Sequence, residues 1–344
     1  MSVSNKAYQP NISMICLIAL MAYYTLIFIA NEMTNSAFRT YVSLILFGLF
    51  FIFAATRRWN KREINIIFKI AAIASFTFSV LFFKDHPDIM HSNAYNGFSY
   101  LSGRINVNTA AFSIVPGTLC SLALSLYSSK KTKKLVKIVY FTMFIFCMYL
   151  LLAFGARSAF FSAVAGTILI SWDRTKRIKG GKKVLVAAII ILAFIFITGF
   201  AKDLTEDTHA SRLFNMDSIT NGTGREEKAD EAWELIHEKP LLGGGFDYWV
   251  NSGCDPLGTH NTFLTVMVAS GWTGGILISI FWIAVFLELA KTKSWISMAL
   301  IFEAFFHTCT ESSMDYYAFI PLTLAYIFSN FTTVNRIPAS KVFD

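Results

Sequence analysis

The sequence predicts an all-α, polytopic membrane protein of about ten transmembrane helices with one helical outer (periplasmic) loop. Three observations predict it. Apolar residues fill 55% of the 344 positions, and charged residues only 15%, against roughly 25% in a soluble protein. The mean hydropathy is +0.52. The apolar residues also gather into stretches close to the ~20 residues that cross a bilayer as a helix. This profile excludes a water-soluble domain, a disordered chain and a nucleic-acid binder. The formal net charge of +8 would suit nucleic acid or membrane, and the apolar excess decides for membrane.

In chain order the stretches are 12–30, 38–56, 64–83, 105–127, 135–154, 158–172, 184–200, 262–287, 295–310 and 316–333. The sixth and ninth are short. The first lacks a basic leader beyond Lys6 and a small-x-small cleavage site, so it reads as a span rather than a signal peptide. The loops alternate in charge. Arg57, Arg58, Lys61 and Arg62 crowd one, and Lys130, Lys131, Lys133, Lys134 and Lys137 the next but one. Arg174, Lys176, Arg177, Lys179, Lys182 and Lys183 fill a third, and Lys291 and Lys293 mark a fourth. The positive-inside rule makes these loops cytoplasmic. Ten spans then put both termini inside, with Lys6, Arg336 and Lys341. The expected organisation is spans one to seven in 1–200, a large outer loop in 201–260 and spans eight to ten in 261–344, as one integrated membrane domain.

The outer loop carries twelve acids and five bases, net about −7. A loop of this length is usually functional or disordered. Within it, 224–238 reads as an amphipathic helix. Thr223 with Glu226 three residues on forms a capping box, and Pro240 with Gly243, Gly244 and Gly245 ends the helix. At 100° per residue, Ala229, Ala232, Trp233, Leu235 and Ile236 share one arc, and Glu226, Glu227, Asp230, Glu231, Glu234 and Glu238 the other. Arg225 and Lys228 fall on the apolar side. A cation in the first turn opposes the helix dipole, and a bound anion would reverse that sign. Pairing with a neighbouring acid, or snorkelling to the rim, explains Arg225 equally well.

Two further arginines break the positive-inside pattern. Arg157, in GARSAF, stands at the outer entrance of the sixth span, and Arg104, in SGRINVN, opens the fourth. Guanidinium forks suit phosphate oxygens, and headgroup contact is the bland reading of each alone. Three outer arginines make a pyrophosphate site a fair hypothesis. Glu303 and His307, spaced i, i+4 in the ninth span, are intramembrane ionisable residues and so functional candidates, or a structural pair satisfying each other. His86, His91, His209 and His237 read as solvated. The five cysteines show no CxxC or zinc spacing, and a Cys254–Cys309 bridge is conceivable without being expected. No HExxH, P-loop or GxSxG motif is present.

The outer loop runs into His260 and Asn261 at the entrance of the eighth span, followed by nine residues, Gly271, two residues and Gly274. Gly271, Gly274 and Gly275 would allow close helix packing. A neutral imidazole is a natural general base near pH 7, and an interfacial cap is the structural alternative. This arrangement resembles the O-antigen ligase and O-antigen polymerase superfamily. His260, Asn261, Gly271 and Gly274 match the ligase signature. The order of Arg104, Arg157, a large outer loop with an Arg225-led helix, Trp233, Pro240-Leu241-Leu242-Gly243 and the His-Asn pair matches as well. The detailed likeness covers about 100–280. Ten spans are fewer than the twelve usual in the ligases.

The resemblance implies a fold like that of membrane-embedded GT-C glycosyltransferases, in a bacterial inner membrane, with the active site on the periplasmic side. It implies en bloc transfer of a glycan from undecaprenyl pyrophosphate, with inversion and without metal, nucleotide or other cofactor. A ligase uses a lipid A–core hydroxyl as acceptor, and a polymerase a second lipid-linked repeat. On this reading Arg157, Arg225 and Arg104 hold the pyrophosphate, His260 is the base, and Asn261 orients it or a sugar hydroxyl. A lipid-linked glycan flippase or transporter is the rival of another class, but the sequence shows no paired halves with broken helices.

Overall fold

The computed structural model describes residues 11–31, 34–86, 98–100, 103–105, 107–128, 132–175, 225–254, 258–311, 316–334 and 342–343. The helices are α1 (Ile12–Ala30), α2 (Asn35–Thr56), α3 (Lys61–Asp85), α4 (Val107–Tyr127), α5 (Lys134–Phe154), α6 (Arg157–Thr175), α7 (Arg225–Glu238), the single turn α8 (Tyr248–Asn251), α9 (Thr262–Thr292), α10 (Trp295–Thr310) and α11 (Tyr316–Val334). Helices α1 to α6 and α9 to α11 fall in order on the apolar stretches, and α7 on the amphipathic segment of the outer loop. Among the described residues, six helices are long and apolar enough to cross a membrane, and α10 and most of α11 are shorter apolar helices. The expected span at 184–200, and Thr223, lie outside the described residues.

One feature departs from an all-helical plan. Strands β1 (Phe98–Tyr100) and β2 (Gly103–Ile105) form an antiparallel hairpin in which Ser99 pairs with Arg104 and Tyr100 with Gly103. Phe98, Tyr100 and Ile105 are side chains that favour strand. Arg104 therefore lies on a strand just before α4 and does not open the span.

The helices begin and end where local chemistry dictates. Thr34 Oγ1 accepts from the Ala37 amide at 3.1 Å at the start of α2. Asn60 and Glu63 form a reciprocal capping box at the start of α3, each bond 2.9 Å. Gly155, in the left-handed region at φ 61°, closes α5, where a Cβ would cost energy.

The described chain divides into two compact units. The first comprises 1–58, 224–293 and 308–319. In it α1 packs along α9 and beside α2, while α7 and α8 pack on α9. The Ser13 amide and hydroxyl both donate to the Glu288 carboxylate, at 2.9 and 2.6 Å, satisfying an orphan donor at the start of α1. Phe246 sits among Tyr24, Phe28 and Tyr41.

The second unit comprises 59–223, 294–307 and 320–344. Helix α4 is its centre, packed by α3, α5 and α6. A Cβ on Gly117 would meet the Ala71 carbonyl at 2.3 Å, so glycine is what lets α3 and α4 approach. Phe68, Phe328 and Phe343 form an aromatic triad with centroids 5.2–5.7 Å apart. Glu303 and His307 are both fully buried here. Neither oxygen of Glu303 has a hydrogen bond among the described residues, so the two are not joined as the i, i+4 spacing allowed. His307 instead meets the Phe112 ring edge-on, at 4.5 Å.

Candidate active site

The first unit holds His260, Asn261, Gly271, Gly274 and Arg225. His260 follows Gly258 and Thr259 and adopts φ 51°. A left-handed non-glycine residue costs roughly 1–3 kcal/mol and persists only where its surroundings impose it. Here they do. Thr259 Oγ1 donates to the Asn261 carbonyl at 2.7 Å and accepts from the Asn261 amide at 3.2 Å. Asn261 Oδ1 accepts from the amides of Phe263 and Leu264, at 2.9 and 3.3 Å. Asn261 is thus the N-cap of α9, and its side-chain oxygen is occupied by capping.

His260 faces a residue that sequence reasoning missed. Its Nδ1 lies 3.9 Å from Glu311 Oε2, with the side chains only 16% and 13% exposed. Glu311 follows α10, and Thr262 Oγ1 donates to its carbonyl at 2.7 Å, tying it to the start of α9. An acid on the Nδ1 side leaves Nε2 on the other edge of the ring, and a carboxylate placed there would stabilise an imidazolium. The sequence signal is Thr310-Glu311-Ser312, an acid between the last two spans. Fifty-one positions separate it from His260, and spacing alone gives no reason to join them.

Gly271 does something other than admit a neighbouring helix. It has φ 66° and ψ −167° and breaks α9. In an unbroken helix the Val268 carbonyl would accept from Trp272, and that of Ala269 from Thr273. Here the loop after α7 supplies the partners. The amides of Gly244 and Gly245 donate to Val268 and Ala269 at 3.0 and 2.9 Å, and the Trp272 amide donates to Pro240 at 2.7 Å. Tyr23 Oη donates to Ser270 at 3.0 Å, and Thr273 Oγ1 to Leu241 at 3.1 Å. The Pro-Leu-Leu-Gly-Gly-Gly loop and the broken helix therefore satisfy each other's backbone. A Cβ on Gly243 would meet the Ser270 amide at 2.3 Å, and one on Gly274 the Ser270 hydroxyl at 1.8 Å.

Arg225 is the first residue of α7 and is half-buried, as is Lys228, while all six acids of the opposite arc are exposed. Ala232, Leu235 and Ile236 pack on Trp249, Met267 and Val268, which fixes α7 to the upper turns of α9. Trp233, expected on the buried arc, is exposed. It lies at one edge of the arc, and the helix buries the other edge and the centre, where Leu235, Ala232 and Ile236 fall. His237 is exposed, its Nδ1 2.7 Å from the Trp233 carbonyl, whereas His86 is half-buried and lies against Phe82, ring centroids 4.9 Å apart and tilted by 44°.

The second unit holds Arg104 and Arg157. Arg157 is the first residue of α6 and is half-buried. Only Gly155 and Ala156 separate it from α5, and both are buried. That two-residue link fixes Arg157 at the turn between two packed helices. Outside both groupings, Tyr248 donates to Glu238, and that carboxylate pushes its hydroxyl up to about 12. All five cysteines are free thiols.

No curated protein matches the chain. Residues 141–279 match the family model described as O-antigen ligase. The match takes in Arg157, Arg225, His260, Asn261, Gly271 and Gly274, and leaves Arg104 and Glu311 outside. It supports the placement of this chain, a multi-pass helical membrane protein, in the superfamily of O-antigen ligases and polymerases that its residues resemble.

Proposed function

We propose that this protein is an O-antigen ligase, moving a glycan en bloc from undecaprenyl pyrophosphate to a lipid A–core hydroxyl on the outer side of a bacterial inner membrane. The observation that carries the chemistry is His260, held in a left-handed turn with Nδ1 facing the Glu311 carboxylate at 3.9 Å. His260 Nε2 takes the proton of the acceptor hydroxyl as its oxygen attacks the anomeric carbon. The bond from that carbon to the pyrophosphate oxygen breaks on the opposite face, so configuration inverts. Glu311 steadies the imidazolium. Arg157 and Arg225, with Arg104, bind the pyrophosphate and stabilise the charge it gains on leaving, so that no metal need supply it. Asn261 fixes the backbone that presents His260. Arg225 and His260 belong to the outer loop, 201–260, and the chain has both termini inside.

Purified protein in lipid vesicles, given labelled lipid-linked glycan and lipid A–core, tests the reading. His260→Ala should lower transfer by roughly 10²–10⁴, and wild-type rates would refute the base. A polymerase differs only in acceptor. Product formed on a second lipid-linked repeat, with none on lipid A–core, would replace ligase by polymerase. No transfer to either acceptor, with movement of the lipid-linked glycan across a sealed vesicle, would replace both by a transporter.

A further inference from the structure

The lower part of α9 presents one apolar face outward. Trp272, Ile276, Ile280, Ile283 and Leu287 are all exposed, and at 100° per residue they fall within an arc of about 80°. In a helix of this length and composition, such a stripe faces lipid. From Trp272 to Thr292, twenty residues on, the helix rises about 30 Å at ~1.5 Å per residue, close to the ~30 Å hydrocarbon thickness. Trp272 thus ends the stripe one bilayer away from the Lys291 and Lys293 end.

The stripe does not stop at α9. Trp233 of α7 lies against Trp272, with ring centroids 5.8 Å apart and planes at 38°. The two rings are 37% and 43% exposed, and Leu241 and Leu242 beside them 70% and 63%. Hydrogen bonds from Thr273 and Trp272 to the carbonyls of Leu241 and Pro240 hold this loop at the break in α9. On α1, which packs along α9, Leu26 and Ile29 are also exposed, beyond the Tyr23 that bonds Ser270. Apolar surface therefore continues past the break, on α7 with its loop and on α1. The acids of α7 occupy the opposite arc, exposed. Tryptophans with one wet and one apolar side belong at the membrane–water boundary.

We propose that Trp233, Trp272, Leu241 and Leu242 form a lipid-contacting patch that seats α7 and its following loop on the bilayer interface, acids toward water. The patch is continuous with the lipid-facing stripe of α9, and this continuity selects lipid over a protein partner. The placement does not depend on the transfer reaction.

The test uses the full-length protein in phosphatidylethanolamine–phosphatidylglycerol vesicles, with and without brominated acyl chains. Tryptophan emission is recorded for wild type, Trp233→Phe and Trp272→Phe, and the differences isolate each residue. Both side chains are partly exposed, so phenylalanine is tolerated. Brominated lipid should quench the Trp233 and Trp272 components at least about twofold, with little quenching by aqueous acrylamide. A component quenched by acrylamide and untouched by brominated lipid overturns the proposal. So does one untouched by both, which would mean the patch is covered by protein. As a second readout, a nitroxide on Leu242→Cys should be more accessible to oxygen than to a water-soluble nickel chelate. One on Glu234→Cys should show the reverse order, and equal behaviour at the two positions would also overturn the placement.

Discussion

Replacing Gly271 with alanine tests the interlock that holds the candidate rim. The added Cβ would lie 2.5 Å from the Leu241 carbonyl carbon and 2.6 Å from the Pro240 oxygen. Backbone neighbours cannot rotate aside, so the loop must shift. The conformation itself, φ 66° and ψ −167°, is nearly confined to glycine and costs another residue about 1–3 kcal/mol. Overpacking adds about 1–3 kcal/mol. Shifting the loop also weakens the bonds from Gly244, Gly245 and Trp272, each contributing ~0.5–1.5 kcal/mol. Even with partial relaxation, a local loss of about 3 kcal/mol follows, or roughly a hundredfold in the opening equilibrium at ~1.4 kcal/mol per tenfold. Hydrogen–deuterium exchange of the lipid-reconstituted protein reads this directly. The amides of Gly244 and Gly245 should exchange about a hundredfold faster, and those of α4 should not change. Gly253 is the control, because it has φ 84° but nothing within 4 Å of the place an added methyl would take. Its alanine variant should lose only about 1–2 kcal/mol of backbone preference. Unchanged exchange at Gly244 and Gly245 in Gly271→Ala would refute the interlock.

Other expectations follow from the same geometry. Glu311→Gln should cut transfer at least about tenfold while leaving thermal stability near wild type, and should change the pH profile of kcat; unaltered profiles would remove Glu311 from the mechanism. Arg157→Lys and Arg225→Lys should each raise the donor KM or lower kcat, because an ammonium cannot replace a bidentate fork. Unchanged donor kinetics would refute the clamp. Asn261→Ser should keep the cap, whereas Asn261→Ala should lose about 0.5–2 kcal/mol. If the serine variant is as inactive as the alanine one, the amide does more than cap. Tyr248, raised to about 12 by its bond to Glu238, keeps its proton in the fold after an unfolded tyrosine has lost it. The bond's contribution is therefore complete below about pH 10 and disappears as pH rises through 12. Tyr248→Phe should delete one late-titrating tyrosinate from the ultraviolet difference spectrum, and an unchanged spectrum would refute the bond.

The helical plan is legible in the sequence because a membrane span depends on composition over about twenty residues and little else. The faces of α7 are legible too, since periodicity alone separates six exposed acids from Ala232, Leu235 and Ile236. Periodicity misplaces Trp233 because it gives an arc and not how much of it a neighbour covers. Hydropathy puts Arg104 at the opening of a span because an apolar run does not show where strand pairing stops and helix starts. Glycine at 271 is recognisable as a pattern, but its reason is not, since the loop that meets it lies thirty positions earlier in the chain.

By itself, then, the sequence determined the membrane class, most helix positions and the residues that carry a family resemblance. These properties are local or periodic, written in neighbours along the chain. The tertiary structure alone decided that Glu311 faces His260, that a glycine-rich loop repairs the break in α9, and that two tryptophans distant in sequence share one exposed edge. Each is a meeting of segments separated by roughly twenty-five to fifty residues, fixed by packing and by the need of broken backbone to find hydrogen-bond partners.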